Sequence, residues 1–157
     1  MDFAKELFDR QCYGHYEPLD PAQLPPLYIA YRTDLSEGSE VFHNNIRARF
    51  DRGDPEIVDA MHFWAGLTDQ ARVCLQRGDH RRLAELMNAN FDKRAALYHL
   101  SEGNLRLVAA ARSAGASAKF TGSGGAILGI CENDAMFRRL QEVLAPQQVV
   151  VLRPEIV

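Results

Sequence analysis

The chain has 157 residues, of which 46% are apolar and 25% charged, and its formal net charge is −3. These values are typical of one globular domain whose core is large enough to fold without disulfides or metals. The weak negative net charge and the scattered arginines argue against the positively charged surface patch expected of a nucleic-acid-binding protein. No apolar run reaches the roughly 18 to 20 residues that a membrane helix needs. The three cysteines are an odd number without C-x-x-C spacing, which favours free thiols and a cytoplasmic location.

The first predicted elements are a short helix within residues 2–10, a proline-rich linker and a strand. Residues 27–31 form a short aromatic and aliphatic run between turn signals, which predicts a buried strand. We therefore divide the chain into an N-terminal extension, residues 1–24, and one domain, residues 25–157.

Helix signals follow in succession. Residues 39–51 have apolar spacing compatible with a helix. Asp54 and Pro55 then supply an N-cap and a first-turn proline, the strongest helix-start signal in the chain. Asp79 caps the next helix. One more helix precedes Gly115, and its predicted apolar stripe consists of Leu105, Val108 and Ala109.

The pattern then changes to strands. Residues 117–121 and 126–131 predict two short strands around a glycine-rich turn. Asn133 or Asp134 can cap a last helix, and residues 149–152 predict a closing strand. We therefore expect an α+β fold in which a helical layer covers a mainly antiparallel sheet.

The turn between the two strands has the sequence Gly122-Ser123-Gly124-Gly125. Glycine costs backbone entropy and adds no packing, so this turn indicates either a tight hairpin or the close approach of another group. Walker A spacing is absent, and the strand that follows excludes a dinucleotide fingerprint, which needs a helix there. Successive N–H groups of such a turn could hold an anion, and a turn without a ligand is the alternative.

The segment 118–126, AKFTGSGGA, resembles the C-terminal signature of the GHMP kinases: a lysine or similar residue, x, T-G, a small residue and G-G. Residues 1–6, 24–28, 41–49 and 86–92 resemble the glucuronokinase branch of that family. The resemblance extends over nearly the whole chain in order. It implies the ferredoxin-like C-terminal domain of a GHMP kinase.

The resemblance also implies a function. Full-length GHMP kinases are expected to use ATP and Mg²⁺, with the ATP-phosphate loop, the metal ligand and the catalytic aspartate in an N-terminal domain whose motifs are absent here. We therefore expect the substrate-side half of an ATP-dependent sugar kinase of carbohydrate metabolism that forms a sugar 1-phosphate and is inactive alone. The expected partners are a sugar or uronic acid, the N-terminal kinase domain in cis or in trans, and a second copy in a homodimer. The alternative is a stand-alone sugar-binding, anion-binding or dimerisation module without catalysis.

Two sets of side chains are candidates for the site, and we assign neither catalytic nor metal-binding residues. By resemblance, the glycine turn lines the substrate and phosphate cleft, while Lys119 and Thr121 either face this cleft or support the turn; a solvated strand-edge lysine is the alternative. His43 and Arg47 share a helix face, and Arg47 suits a sugar carboxylate, although an exposed polar face is the alternative. The first set is Lys119, Thr121, Gly122, Ser123, Gly124 and Gly125, and the second is Ser39, His43 and Arg47.

Two further groups lie on the predicted helices. The first group either lines a cleft or is solvated, and it comprises Asn88, Asn90 and Asp92. The second group follows helical spacing and is predicted to pack in the core. It comprises Met61, Trp64 and Met87.

Overall fold

The computed structural model describes residues 4–32, 34 and 39–156, with side chains in the last range from residue 45 onward. In this part of the chain, α-helices span Lys5–Gln11 (α1), Ser39–Asp51 (α2), Pro55–Arg77 (α3), His80–Leu97 (α4), Glu102–Ser113 (α5) and Asp134–Leu144 (α6). Strands span Leu27–Tyr31 (β1), Lys119–Phe120 (β2), Ala126–Ile130 (β3) and Val150–Leu152 (β4). None of the helices described is both long and apolar enough to cross a lipid bilayer.

The strands form one sheet in the order β2-β3-β1-β4. Each pair of neighbours is antiparallel. In the middle of the sheet, Ile29 of β1 lies opposite Leu128 of β3 on one side and Leu152 of β4 on the other. The expected α+β fold with an antiparallel sheet is therefore confirmed.

Helices cover both faces of this sheet. Tyr28 and Ile127 belong to the larger core cluster, which they form with residues of α5 and α6. Leu27 and Leu128 lie on the opposite face and pack against α3 and α4. Because successive side chains of a strand alternate between faces, two covered faces explain why β1 and β3 are apolar throughout.

The predicted start and end of α3 are confirmed. The side chain of Asp54 accepts a hydrogen bond from the backbone N–H of Glu56, and Gly78 ends the helix with a φ of 67°. Arg49 of α2 donates to Asp54 with an N–O distance of 2.7 Å, and this hydrogen bond lowers the pKa of the carboxyl. The ion pair connects the end of α2 to the start of α3.

The buried face of α5 differs from the prediction. Leu105 is 41% exposed and Ala109 is also exposed, so of the three predicted positions only Val108 is buried. The prediction was wrong because the stripe begins with a polar residue, Asn104, which is fully buried. The buried positions recur with the spacing i, i+3, i+4 and i+7, and they are Asn104, Leu107, Val108 and Ala111.

A buried hydrogen-bond pair fixes the centre of the sheet. The hydroxyl of Tyr28 donates to the carbonyl oxygen of Ser117 at 2.8 Å, and the Ser117 hydroxyl oxygen accepts from the N–H of Ile130 at 2.9 Å. Burial raises the pKa of the Tyr28 hydroxyl. Gly129 lies opposite Tyr28, and a Cβ there would fall 1.7 Å from the Ser117 oxygen. Only glycine permits this approach.

Candidate functional site

The glycine-rich turn joins β2 to β3. The backbone N–H of Thr121 donates to the oxygen of Ala126 at 3.1 Å, and the N–H of Arg32 donates to the oxygen of Gly125 at 2.8 Å. Gly124 and Gly125 have φ values of 149° and 76°, which residues with side chains rarely adopt. The conformation of the turn therefore requires glycine at these two positions.

Asn104 of α5 connects the turn to the core. Its Oδ1 accepts a hydrogen bond from the N–H of Gly125 at 2.8 Å, and its Nδ2 donates to the hydroxyl of Ser101 at 3.1 Å. A Cβ on Gly124 would lie 2.7 Å from the same Nδ2. The Gly125 N–H is thus engaged within the fold and does not act as a donor to a bound anion.

Arg94 of α4 contacts the turn directly. Its Nη1 donates to the carbonyl oxygen of Gly122 at 2.8 Å. Its Cζ lies 5.2 Å from the ring centroid of Tyr98 and 5.3 Å from that of Phe120, within cation–π range. Burial lowers the pKa of Arg94. Its Nε is buried and has no hydrogen-bond partner among the described residues, so the guanidinium retains unused donor capacity.

Lys119 lies close to Arg94. Its side chain is half-buried, and its Nζ donates to the carbonyl oxygen of Phe120 at 2.7 Å. Burial lowers the pKa of Lys119, and the positive charge of Arg94 lowers it further. Lys119 is therefore not a solvated residue at the strand edge, which was the alternative raised by the sequence.

A cleft of about 730 Å³ opens beside Arg94, between α2, α3 and α4. Trp64 Nε1 donates to the backbone oxygen of Asn90 at 3.3 Å, which holds the indole against α4. Aromatic walls with a few polar groups are typical of sites for small molecules. Besides Arg94, the walls include Ile46, Phe50, Met61, Trp64, Asn90 and Tyr98.

A smaller cleft of about 180 Å³ lies between α3 and α4 and is lined in part by Lys119. Asn90 borders both clefts. The two cationic side chains therefore belong to neighbouring depressions that share one wall.

Comparison with known proteins identifies the family. The family model described as GHMP kinases C terminal matches residues 71–149. The chain belongs to the GHMP kinase family. Glucuronokinase 1 and probable glucuronokinase 2 of Arabidopsis thaliana are 39% and 40% identical to it over 146 residues. Each alignment covers 90% of this chain and 40% of the relative, so the chain spans less than half the length of these proteins.

Solved structures show the same fold. The crystal structure of L. major mevalonate kinase in complex with R-mevalonate matches with a TM-score of 0.71 at 21% identity, over 86% of this chain and 44% of that one. Lactococcus lactis galactokinase complexed with galactose matches with a TM-score of 0.64 at 15% identity, over 84% of this chain and 45% of that one. The GHMP kinase C-terminal fold predicted from the AKFTGSGGA segment is confirmed.

The structure describes only part of the second predicted set in this GHMP kinase domain. Ser39 and His43 lie on α2, but their side chains fall outside the described residues. Arg47 borders the larger cleft, its Nε lies 2.9 Å from Oδ1 of Asp51, and its side chain is 77% exposed. The fold thus brings Arg47 to the same cleft as Arg94, although Arg47 is already paired with a carboxylate.

Within the turn itself, the side chain of Thr121 supports the backbone. The Thr121 hydroxyl donates to the carbonyl oxygen of Ala126 at 3.4 Å, and Ser123 is half-buried. Of the two alternatives for Thr121, the described contacts favour support of the turn.

Of the three predicted polar residues of α4, two bond to neighbouring elements and one lines the cleft. Asn88 Oδ1 accepts from the N–H of Ala118 at 2.9 Å, and Asp92 accepts from Nη1 of Arg112 at 2.6 Å. These contacts connect α4 to α5 and to the segment before β2. Asn90 alone of the three predicted polar residues lines the cleft.

The three predicted core residues occupy different positions. Met87 is buried in the cluster formed with α3, as expected. Trp64 packs against that cluster, as expected, and also lines the cleft, whereas Met61 is half-buried and lines the cleft. Among the described residues, no group of three or more His, Cys, Asp or Glu side chains could hold a metal ion.

Sequence reasoning missed Arg94 and Asn104. No sequence pattern near Arg94 marks it as a site residue, because its importance depends on contact with Gly122, which lies 28 positions away. Asn104 could have been found, since it completes the helical spacing of Leu107, Val108 and Ala111.

Proposed function

We propose that this GHMP kinase domain is the substrate-side half of an ATP-dependent sugar kinase that phosphorylates the anomeric hydroxyl of a sugar or uronic acid. One observation carries the proposal: Arg94, which lines the large cleft, donates directly to Gly122 of the family's glycine turn. Arg94 therefore connects the cleft to the turn. The names of the Arabidopsis relatives, both glucuronokinases, favour a uronic acid.

The chemistry of phosphoryl transfer explains how a half-enzyme can contribute. Catalysis rests mainly on positioning the reactants and on stabilising charge. This domain supplies a cleft for the sugar and two cations beside the glycine turn. We propose that residues 25–157 form the domain and that the ATP and Mg²⁺ sites of the complete enzyme belong to its N-terminal half, with residues 1–24 a remnant of that half.

The test is transfer of phosphate from ATP to a panel of neutral sugars and uronic acids. It should be run on this chain alone and on a chain extended upstream by the sequence that precedes it in the gene, or mixed with a separately encoded N-terminal half. We expect transfer only when the N-terminal half is present. Transfer by this chain alone would show that the ATP site was misplaced, and no transfer in either form would reject the kinase assignment for the panel.

A dimerisation module is the second candidate function, and the surface of β4 favours it. Val150 is 49% exposed and Leu152 is 37% exposed, side by side on one face of an edge strand. Exposed apolar strand edges promote association. Sedimentation velocity over a range of concentrations tests this candidate: a dimer that Val150→Lys dissociates would support it, and a monomer at all concentrations would reject it.

A further inference from the structure

We propose that Arg94 and Lys119 form an oxyanion subsite where the two neighbouring clefts meet, which selects ligands that carry a carboxylate or phosphate group attached to a sugar. The inference rests on the proposed function only for the sugar part of the ligand. The oxyanion part follows from charge and geometry on this chain.

The charges of Arg94 and Lys119 have no described counter-charge. Both side chains are half-buried and contact the same residue: Arg94 Cζ lies 5.3 Å from the ring centroid of Phe120, and Lys119 Nζ donates to the Phe120 carbonyl oxygen at 2.7 Å. Across the described residues, neither has a carboxylate within ion-pair distance. Two like charges held together in a partly dry site destabilise the fold unless an anion joins them. A bound oxyanion would supply the missing charge.

Two arginines of the domain, Arg94 and Arg112, differ in their partners. Arg112 also has a buried Nε without a partner, but its Nη1 donates to Asp92 at 2.6 Å and its Nη2 donates to two backbone oxygens. Arg112 is thus neutralised within the fold and acts as a structural connector. The one hydrogen bond described for the Arg94 side chain goes to Gly122, an uncharged acceptor, so no described residue neutralises its charge.

The surroundings of Arg94 suit a sugar that carries an oxyanion. Its Cζ lies 5.2 Å from the ring centroid of Tyr98, and Asn90 of the same helix lines the same cleft. Trp64 forms a neighbouring wall. A planar guanidinium that is held by a hydrogen bond to Gly122 and by cation–π contacts is well suited to bind a carboxylate or phosphate. Aromatic walls beside it can hold the apolar face of a sugar ring.

The experiment uses the single tryptophan of the chain, Trp64, as a reporter in the cleft. The chain alone is titrated with sodium glucuronate, glucose, inorganic phosphate and ATP, while the indole fluorescence and the amide NMR signals of residues 122–125 are followed. We expect glucuronate to change both signals with a Kd at least about tenfold lower than that of glucose, because a hydrogen bond between charged groups adds that much. Phosphate or ATP acting in place of glucuronate would keep the subsite and identify a phosphate as its ligand.

Variants test the two side chains. Arg94→Gln and Lys119→Gln should each raise the Kd of the effective anion about tenfold, and Arg94→Lys should recover part of the loss. Arg106→Gln is the matched control, since Arg106 is exposed and paired with Glu102 on α5. Thermal unfolding of each variant checks that the fold is retained.

Three results would overturn the subsite: equal binding of glucuronate and glucose without tighter binding of phosphate or ATP, no binding of any anion, or unchanged binding of the effective anion in both glutamine variants. None of these readouts requires phosphate transfer. If an extended chain fails to phosphorylate sugars, the proposed function is rejected, but the anion titrations still test the subsite. If the extended chain phosphorylates sugars but the titrations show no anion binding, the subsite is rejected and the proposed function stands.

Discussion

The N–H of Gly125 donates to Oδ1 of Asn104 at 2.8 Å, so the shape of the glycine turn depends on a fully buried side chain of α5. The same asparagine contacts Ser101, which caps α5. The turn is therefore fixed by the helix behind it and not only by the hairpin in which it lies.

Asn104→Ala should lower the free energy of unfolding by about 1–3 kcal/mol, because the Gly125 N–H would remain buried without an acceptor. Urea denaturation measures the change. Leu105→Ala is the control, since Leu105 is the next residue and is 41% exposed; it should change the free energy by less than about 0.5 kcal/mol. Equal effects from the two variants would contradict the role of Asn104.

Gly124→Ala should destabilise the domain by about 1–3 kcal/mol. Its φ of 149° strains any side chain, and the new Cβ would lie 2.7 Å from Nδ2 of Asn104. Gly122→Ala is the control: it makes the same substitution two residues earlier, where nothing lies within 4 Å of the added Cβ. We expect near-native stability for Gly122→Ala in thermal unfolding. If both alanines behave alike, the strain argument fails.

Gly129→Ala should be far more damaging than a surface change, with a loss of at least about 3 kcal/mol. The added Cβ would lie 1.7 Å from the Ser117 oxygen and 2.6 Å from the Tyr28 ring, neither of which can move without breaking the sheet. Gly66→Ala, within α3 and with nothing inside 4 Å, should instead stabilise the protein by about 0.5–1 kcal/mol. Opposite shifts in the unfolding midpoint are the expected result.

The ion pair between Arg49 and Asp54 predicts a pH dependence. Because Arg49 lowers the pKa of Asp54 in the folded state, the pair stabilises the fold fully above the unfolded pKa of about 4. This contribution is lost as the pH falls through the lower folded pKa, since the unfolded state then binds more protons. Urea denaturation between about pH 6 and pH 3 should show a smaller loss of stability for Asp54→Asn, which keeps the N-cap acceptor but not the charge.

The exposed Asp59 of the same helix provides the control for this prediction. Asp59→Asn should retain the pH dependence of the unchanged protein. If Asp54→Asn also retains it, the ion pair with Arg49 does not contribute to acid stability.

Local signals predicted most of the secondary structure. The bounds of β1 and α2 match the predicted ranges 27–31 and 39–51, and α3 begins after its Asp54 cap. These elements could be predicted because caps, turn residues and apolar runs act on the backbone within a few residues of themselves. β2 is shorter than expected, at two residues. The N–H of Ala118, just before it, bonds to Asn88 instead of to a strand.

The site was harder to predict than the fold. The glycine turn was found from its sequence, because its composition is itself the signal. Arg94 was missed, since its role in the site depends on a contact with Gly122, which is distant in sequence, and on the absence of a neighbouring carboxylate among the described residues. Neither property is visible in the residues adjacent to it in sequence.

The position of β1 in the sheet has a consequence for folding. β1 is the first of the four described strands in chain order, yet its two neighbours are β3 and β4, the last two. During synthesis its apolar residues must remain unpaired until nearly all the helices have emerged, a period in which such a segment is prone to aggregate. Pairing also closes a loop that contains most of the domain, which slows the reaction. Docking of β1, rather than helix formation, is therefore expected to set the folding rate.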